Sequence, residues 1–304
     1  MLLTENKANE LKKIAAISSI LLAVLLCLLK TFAVVYTSSL AVFSSMVDSL
    51  SDILASLVTF FAVKISVKPA TINYRYGYGK VEALSALFQS LFVAVSGFYI
   101  LYDSVIRFWR PVELKQTGFG LAVMVFSLFA TIGLVVFQQI VAKKTNSKAI
   151  AADSLHYKVD VLTNFSIIIS LGFVQIWGIY SVDTFVAILI AVYLLWSAYD
   201  LGKDAVGLLL DKELDIGIRE DVLEIVANHK INPKIHDLRT RDLGGVYMFE
   251  FHLELDGNLD LYTAHKYTDE VECLIRKKYP DAQIIIHQDP LGIREDRLDN
   301  KLKK

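Results

Sequence analysis

SSMVDSLSDILASL, residues 44–57, sets two carboxylates into a run that otherwise looks built for lipid. Asp48 and Asp52 are the only charged residues between Leu40 and Val63. Ionised groups inside a bilayer are costly and rare, and those that persist face a bundle interior or a pathway. This stretch therefore reads as one helix of a membrane bundle with something to hold.

The rest of the chain agrees. It is 304 residues long and 54% hydrophobic, against about 45–50% for a typical soluble domain, and its mean hydropathy is positive. A net charge of −1 gives no basic field for nucleic acid. Cys27 lies in an apolar run and Cys273 in a charged helical pattern, so no disulfide is expected between them. The N-terminal charges are spread, and the apolar run from Ile14 outlasts a signal-peptide core without a small-residue cleavage site. It reads as a first membrane helix.

A hydrocarbon core needs about 20 mostly apolar residues per helix. Six stretches are of that kind: Ile14–Tyr36, Leu40–Val63, Val81–Leu101, Phe119–Val141, Ala149–Phe173 and Val182–Ala198. The fifth carries Asp153, His156, Lys158 and Asp160 in its first half. Basic residues concentrate in the N-terminal tail (Lys7, Lys12, Lys13), the 2–3 loop (Lys64, Lys68, Arg75, Lys80) and the 4–5 loop (Lys143, Lys144, Lys148). The 3–4 loop, with Arg107, Arg110 and Lys115, is the exception. On balance both termini are expected in the cytoplasm, with the chain in the cell (inner) membrane.

Beyond about Asp200 the pattern changes. Ile218–Lys230 reads as an amphipathic helix. In VYMFEFHLEL, residues 246–255, Tyr247, Phe249, Phe251, Leu253 and Leu255 alternate with Val246, Met248, Glu250, His252 and Glu254, the period of a half-buried strand. Gly244-Gly245 predicts a hairpin to a preceding strand around Ile235–Arg241. Leu261–Tyr279 follows as a helix and Gln283–His287 as a last strand. The expected fold is an all-α six-helix transmembrane domain, residues 1–204, then a small cytoplasmic α+β domain, 205–290, and a polar tail, 291–304.

Asp48 and Asp52 are four residues apart, and so are His156 and Asp160. Residues at that spacing share one helix face. Two facing pairs supply three carboxylates and an imidazole, a set that suits a tetrahedral divalent ion such as zinc. The alternative is a structural ion-pair network. Asp153 and Lys158 read as boundary charges, solvated or paired, and Lys30 as a snorkelling charge. Clustered carboxylates and a histidine take up protons when the metal leaves, which is the chemistry of an antiporter. Imidazole favours zinc, iron or similar ions over magnesium or calcium.

Of six histidines, five lie between His229 and His287. His236, His252, His265 and His287 with Asp289 form a second candidate metal group, whereas His229 reads as a charge at a helix C-terminus.

VDSLSD, LHYKVD, GYGKVEALSAL, LLLDKEL, HDLRTR and IIIHQDP together resemble the cation diffusion facilitators, most closely the bacterial zinc and ferrous-iron efflux type. The resemblance covers nearly the whole chain. It implies a homodimeric metal/proton antiporter in the lipid bilayer, with a metallochaperone-like (ferredoxin-like) cytoplasmic domain. It further implies that Asp48, Asp52, His156 and Asp160 form the transport site for Zn²⁺, with Fe²⁺ or Cd²⁺ also admitted. His236, His252, His265, His287, Gln288 and Asp289 would form a cytoplasmic two-metal site bridged by Asp289, and Lys80 and Asp211 an ion pair locking the dimer. Relatives often carry an acid and two histidines in the 2–3 loop. Here Thr71, Tyr74 and Tyr78 stand there, and tyrosine is a poor ligand at neutral pH, so no loop site is expected.

Two rival classes remain, a membrane-anchored metal sensor or buffer and a passive channel. A closed four-ligand site argues against a channel. With neither a P-loop nor a nucleophile–base motif in view, the chain is not expected to be an enzyme.

Overall fold

The computed structural model describes residues 5–37, 40–109, 118–177, 181–293 and 296–302. Two compact units divide at Val206/Gly207.

The first unit is helical: α1 (Glu5–Thr37), α2 (Leu40–Ser66), α3 (Val81–Trp109), α4 (Gly118–Thr145), α5 (Lys148–Trp177) and α6 (Ser181–Leu209). Among the described residues five helices are long and apolar enough to cross a membrane. The first half of α5 holds Lys148, Asp153, Lys158 and Asp160. Arg110 and Lys115 of the 3–4 connection lie outside the described residues.

Along their described residues α1 and α2 turn a largely small or polar stripe inward and large apolar residues outward. On α1 the buried residues are Ala15, Ala16, Ser19, Ala23, Leu26 and Ala33, while Leu21, Leu25, Leu28, Phe32 and Val35 are exposed. In lipid there is no hydrophobic drive to bring helices together, so close approach over small side chains does that work. On α2 the buried stripe is Ser49, Asp52, Ser56, Thr59 and Val63, and Leu50, Leu54 and Phe61 face out. The spacing alternates between three and four residues, one continuous helix face. Two glycines set the α3–α6 approach. A Cβ on Gly97 would stand 3.1 Å from the Leu195 side chain, and one on Gly202 3.0 Å from Ser90 Oγ.

Where α3 begins, the Glu82 carboxylate joins four elements. It accepts from Lys12 Nζ of α1 at 2.9 Å, from Ser66 Oγ at the end of α2 at 3.0 Å, and from Ser147 Oγ just before α5. The 2–3 loop closes on itself: Thr71 and Tyr74 exchange backbone hydrogen bonds at 3.1 Å, and the Tyr74 and Tyr78 rings pack 4.8 Å apart.

The second unit comprises α7 (Ile216–Ala227), β1 (Lys234–Asp242), β2 (Tyr247–Leu255), α8 (Leu261–Lys278), β3 (Gln283–Pro290) and α9 (Leu298–Leu302). The sheet order is β1-β2-β3. β1 and β2 form an antiparallel hairpin, and β3 runs parallel to β2, which requires the α8 crossover. The hairpin turn uses Gly244 and Gly245 at φ 96° and 102°, a region open to glycine. The Asp242 carboxylate accepts both of their N–H groups. Asp260 caps α8 by accepting from Thr263 N. Phe249, Phe251, Leu253 and Leu255 on β2 pack with Val222, Val226, Val271 and Ile275 into one core.

The β1–β2 register shifts between His236 and Arg239. Asp237, in that bulge, has φ 51°, a left-handed conformation that Asp tolerates better than most residues. Its carboxylate accepts from Leu298 N and Asp299 N at 2.9 Å each, and Asp299 Oδ2 accepts from Asp237 N. Burial is the largest single influence and works against the charge on Asp237, but the two backbone donors together with the nearby His236 and His252 hold its pKa below the usual value.

Candidate functional site

Asp52, His156 and Asp160 come together at the α2–α5 interface, each offering a ligand atom within 4.8 Å of the others. His156 Nε2 lies 3.1 Å from Asp52 Oδ1. Asp52 is buried, and its residue is 7% exposed. Helix geometry explains the placement. Asp52 sits in the middle of the inward stripe of α2, and His156 and Asp160 lie one turn apart on α5. Asp48 lies in α2, but its side chain is outside the described residues.

One helical turn below, the structure departs from the sequence reading. Asp153 is not a solvated boundary charge: it is fully buried, and Gln138 Nε2 of α4 donates to its Oδ2 at 2.6 Å. Next to it Tyr157 OH lies 2.7 Å from Ser56 Oγ and donates to the Ser19 carbonyl at 3.3 Å. Gln89 of α3 bonds Thr59 of α2. A buried polar layer thus underlies the ligand cluster and joins α1 through α5. Lys30 is also misread as a snorkelling charge. Its Nζ reaches across to α2 and donates to Ser49 Oγ at 2.7 Å, beside Asp48 in the chain. A basic group of α1 therefore reaches the α2 stripe that holds Ser49 and Asp52, although it is far from it in sequence.

In the second unit the register alone lines up three imidazoles. His236 is opposite His252, and His252 is opposite His287. Asp289, two residues along β3, reaches all three. Its Oδ2 lies 2.7 Å from His252 Nδ1 and 3.5 Å from His236 Nε2, and its Oδ1 lies 3.2 Å from His287 Nε2. His236, His252 and Asp289 meet the geometry of a metal group.

The two remaining candidates are not in that cluster. The His265 side chain is 66% exposed, with Nε2 3.5 Å from Asp269. Gln288 donates to Thr268 Oγ1 at 2.9 Å. Both line a shallow cleft with Leu261 and Tyr262. His229 directly follows the C-cap of α7, the helix end expected for it, and its side chain, 4% exposed, faces Glu270 Oε2 at 3.1 Å. Asp211, expected opposite Lys80, lies 3.3 Å from Arg241 NH1 within its own unit.

Sequence reading also missed Glu254. On a strand face that alternation marks as polar, its side chain is 5% exposed, 2.6 Å from Arg297 NH2 and 3.1 Å from His236 Nδ1. Neither partner is near it in sequence.

Comparison with known proteins covers both units. The cation efflux transmembrane domain family matches residues 16–210, and the cation efflux protein, cytoplasmic domain family matches residues 215–291. The cation-efflux pump FieF of Salmonella newport is 40% identical over 285 residues, 93% of this chain and 95% of that protein. FieF of Klebsiella pneumoniae is 39% identical over 279 residues, 92% of this chain and 93% of that protein. Among solved structures, the metal-bound C-terminal domain of the CzcD transporter from Thermotoga maritima is 27% identical, covering 26% of this chain and 94% of that one, with a TM-score of 0.25.

Proposed function

Because the chain belongs to the cation diffusion facilitator family and is a membrane cation efflux transporter, we propose that it exports a divalent metal in exchange for protons. The cargo is Zn²⁺, with Fe²⁺ and Cd²⁺ as the nearest competitors. The observation that carries this reading is the cross-helix group of Asp52, His156 and Asp160, to which Asp48 adds the fourth ligand.

Three carboxylates around one dication leave about one net negative charge, which the bilayer tolerates far better than three unshielded ones. Release of the metal re-exposes the carboxylates to one another, and protons then replace it on the coupled set. Helix rearrangement about this point opens it alternately to the cytoplasm and the outside. The chain works as a homodimer in the inner membrane with both termini cytoplasmic, and Lys80 and Asp211 hold the subunits in register. His236, His252, His287 and Asp289 bind regulatory metal on the cytoplasmic domain, and His265 and Gln288 complete a second position beside it.

Proteoliposomes with an imposed pH gradient test the reading. Saturable uphill Zn²⁺ flux that collapses with the gradient is expected, with Fe²⁺, Cd²⁺ and Mn²⁺ compared for rank. Zinc binding without flux would leave a membrane-anchored sensor, and flux indifferent to the pH gradient would leave a channel.

A further inference from the structure

Glu254 is a carboxylate buried to 5% exposure between two groups of different origin: His236 on β1 and Arg297 of the C-terminal segment. A charge so placed is costly unless paired. Arg297 NH2 pairs with it at 2.6 Å. The segment that brings Arg297 there is fastened separately by the reciprocal Asp237/Asp299 contacts at the β1 bulge, one residue from His236. Arg219 NH2 lies a further 3.8 Å from Asp299 Oδ1. The tail is thus attached on both sides of His236.

We propose that Arg297–Leu302 is a strap whose docking is coupled to metal at the His236/His252/His287/Asp289 cluster, and that Glu254 is the positioning residue through which the two communicate. The proposal rests on reading that cluster as a divalent-metal site.

The two nitrogens of His236 are already divided. Nε2 faces Asp289 and Nδ1 faces Glu254. A metal on Nε2 requires a neutral ring with its proton on Nδ1, the nitrogen that lies 3.1 Å from Glu254 Oε1. Outer-shell carboxylates of this kind fix the tautomer and ring orientation of metal-bound histidines. Glu254 Oε1 serves both neighbours, so a carboxylate fixed by the metal-bound ring is also fixed for Arg297. By linkage, whatever factor the docked tail adds to metal affinity, the metal adds to docking.

The test uses the full-length protein in detergent carrying Asp52→Ala, so that zinc binding reports the sheet cluster. Two readouts are taken: zinc affinity by competition with a chelator, and the rate of tryptic cleavage after Arg297 with and without zinc. Glu254→Gln should lower affinity by about tenfold or more, within the range of outer-shell losses. Arg297→Ala, a partly exposed change that leaves the sheet intact, should lower it by several-fold. Zinc should slow cleavage in the parent protein and fail to do so in Glu254→Gln. Should zinc leave the cleavage rate unchanged, or Arg297→Ala bind as tightly as the parent, the strap is wrong even though the metal site stands. If His236→Ala binds zinc as well as the parent, the metal reading has failed instead.

Discussion

Asp52 Oδ1 and His156 Nε2 lie 3.1 Å apart across the α2–α5 interface, 104 residues apart in the chain. The contact fixes how the two helices face each other and leaves Asp160 within reach of the same point. Replacing Asp52 by Asn keeps the shape and removes the charge that both the metal and a proton need. Zinc flux should fall by more than the roughly 10–100-fold typical of outer-shell losses. Flux within twofold of wild type would remove Asp52 from the site.

Tyr157 is 1% exposed, and its hydroxyl is shared by Ser56 and the Ser19 carbonyl. Tyr157→Phe leaves Ser56 Oγ facing a ring edge. Stranding a buried polar group costs about 1–3 kcal/mol. Thermal unfolding in detergent should show that loss, and Ser56→Ala in the same background should cost less than Ser56→Ala alone. Additive costs would mean that the two hydroxyls do not interact.

Period two in residues 246–255 places β2, but the register that sets His236, His252 and His287 side by side is supplied by the pairing of the strands and not by alternation. The spacing of 48/52 and 156/160 put carboxylates and imidazole on helix faces. What spacing cannot carry is which neighbour covers a face. Asp153 resembles a boundary charge until Gln138 of α4 packs on it. Lys30 is distant from Asp48 in sequence, yet its side chain crosses to Ser49. Glu254 falls on the polar face of its strand, and only the returning tail buries it. A partial signal was available on α2, where Ser49, Ser56 and Thr59 continue the stripe of Asp52. In a lipid-facing helix, that many hydroxyls on one side mark the interior face.

Glu82 and Lys12 pair at 2.9 Å with side chains 8% and 12% exposed. Removing one member of a buried pair costs about 3–5 kcal/mol, an upper figure here because Gln at position 82 still accepts from one of Ser66 and Ser147 through its oxygen and can donate to the other through its NH2. Glu82→Gln should therefore lower the unfolding temperature clearly, and adding Lys12→Met should restore part of the loss. If the double variant is no more stable than Glu82→Gln alone, the serines rather than the ion pair hold these helices.

Glu270 closes the second unit by accepting from Lys230 Nζ at 2.6 Å, with His229 Nε2 at 3.1 Å. The Lys230 contact chiefly, against a smaller effect of burial and with help from His229, holds its carboxyl below the ordinary Glu value of 4.5. A pKa depressed in the folded state stabilises that state above the unfolded pKa, and the benefit is lost as pH falls through the folded pKa. Glu270→Gln should thus lower stability at pH 7, and the gap from wild type should close once pH drops well below 4.5. Urea midpoints of the second unit at the two pH values decide it. A gap that persists in acid would assign the contribution of Glu270 to packing against His229 rather than to its charge.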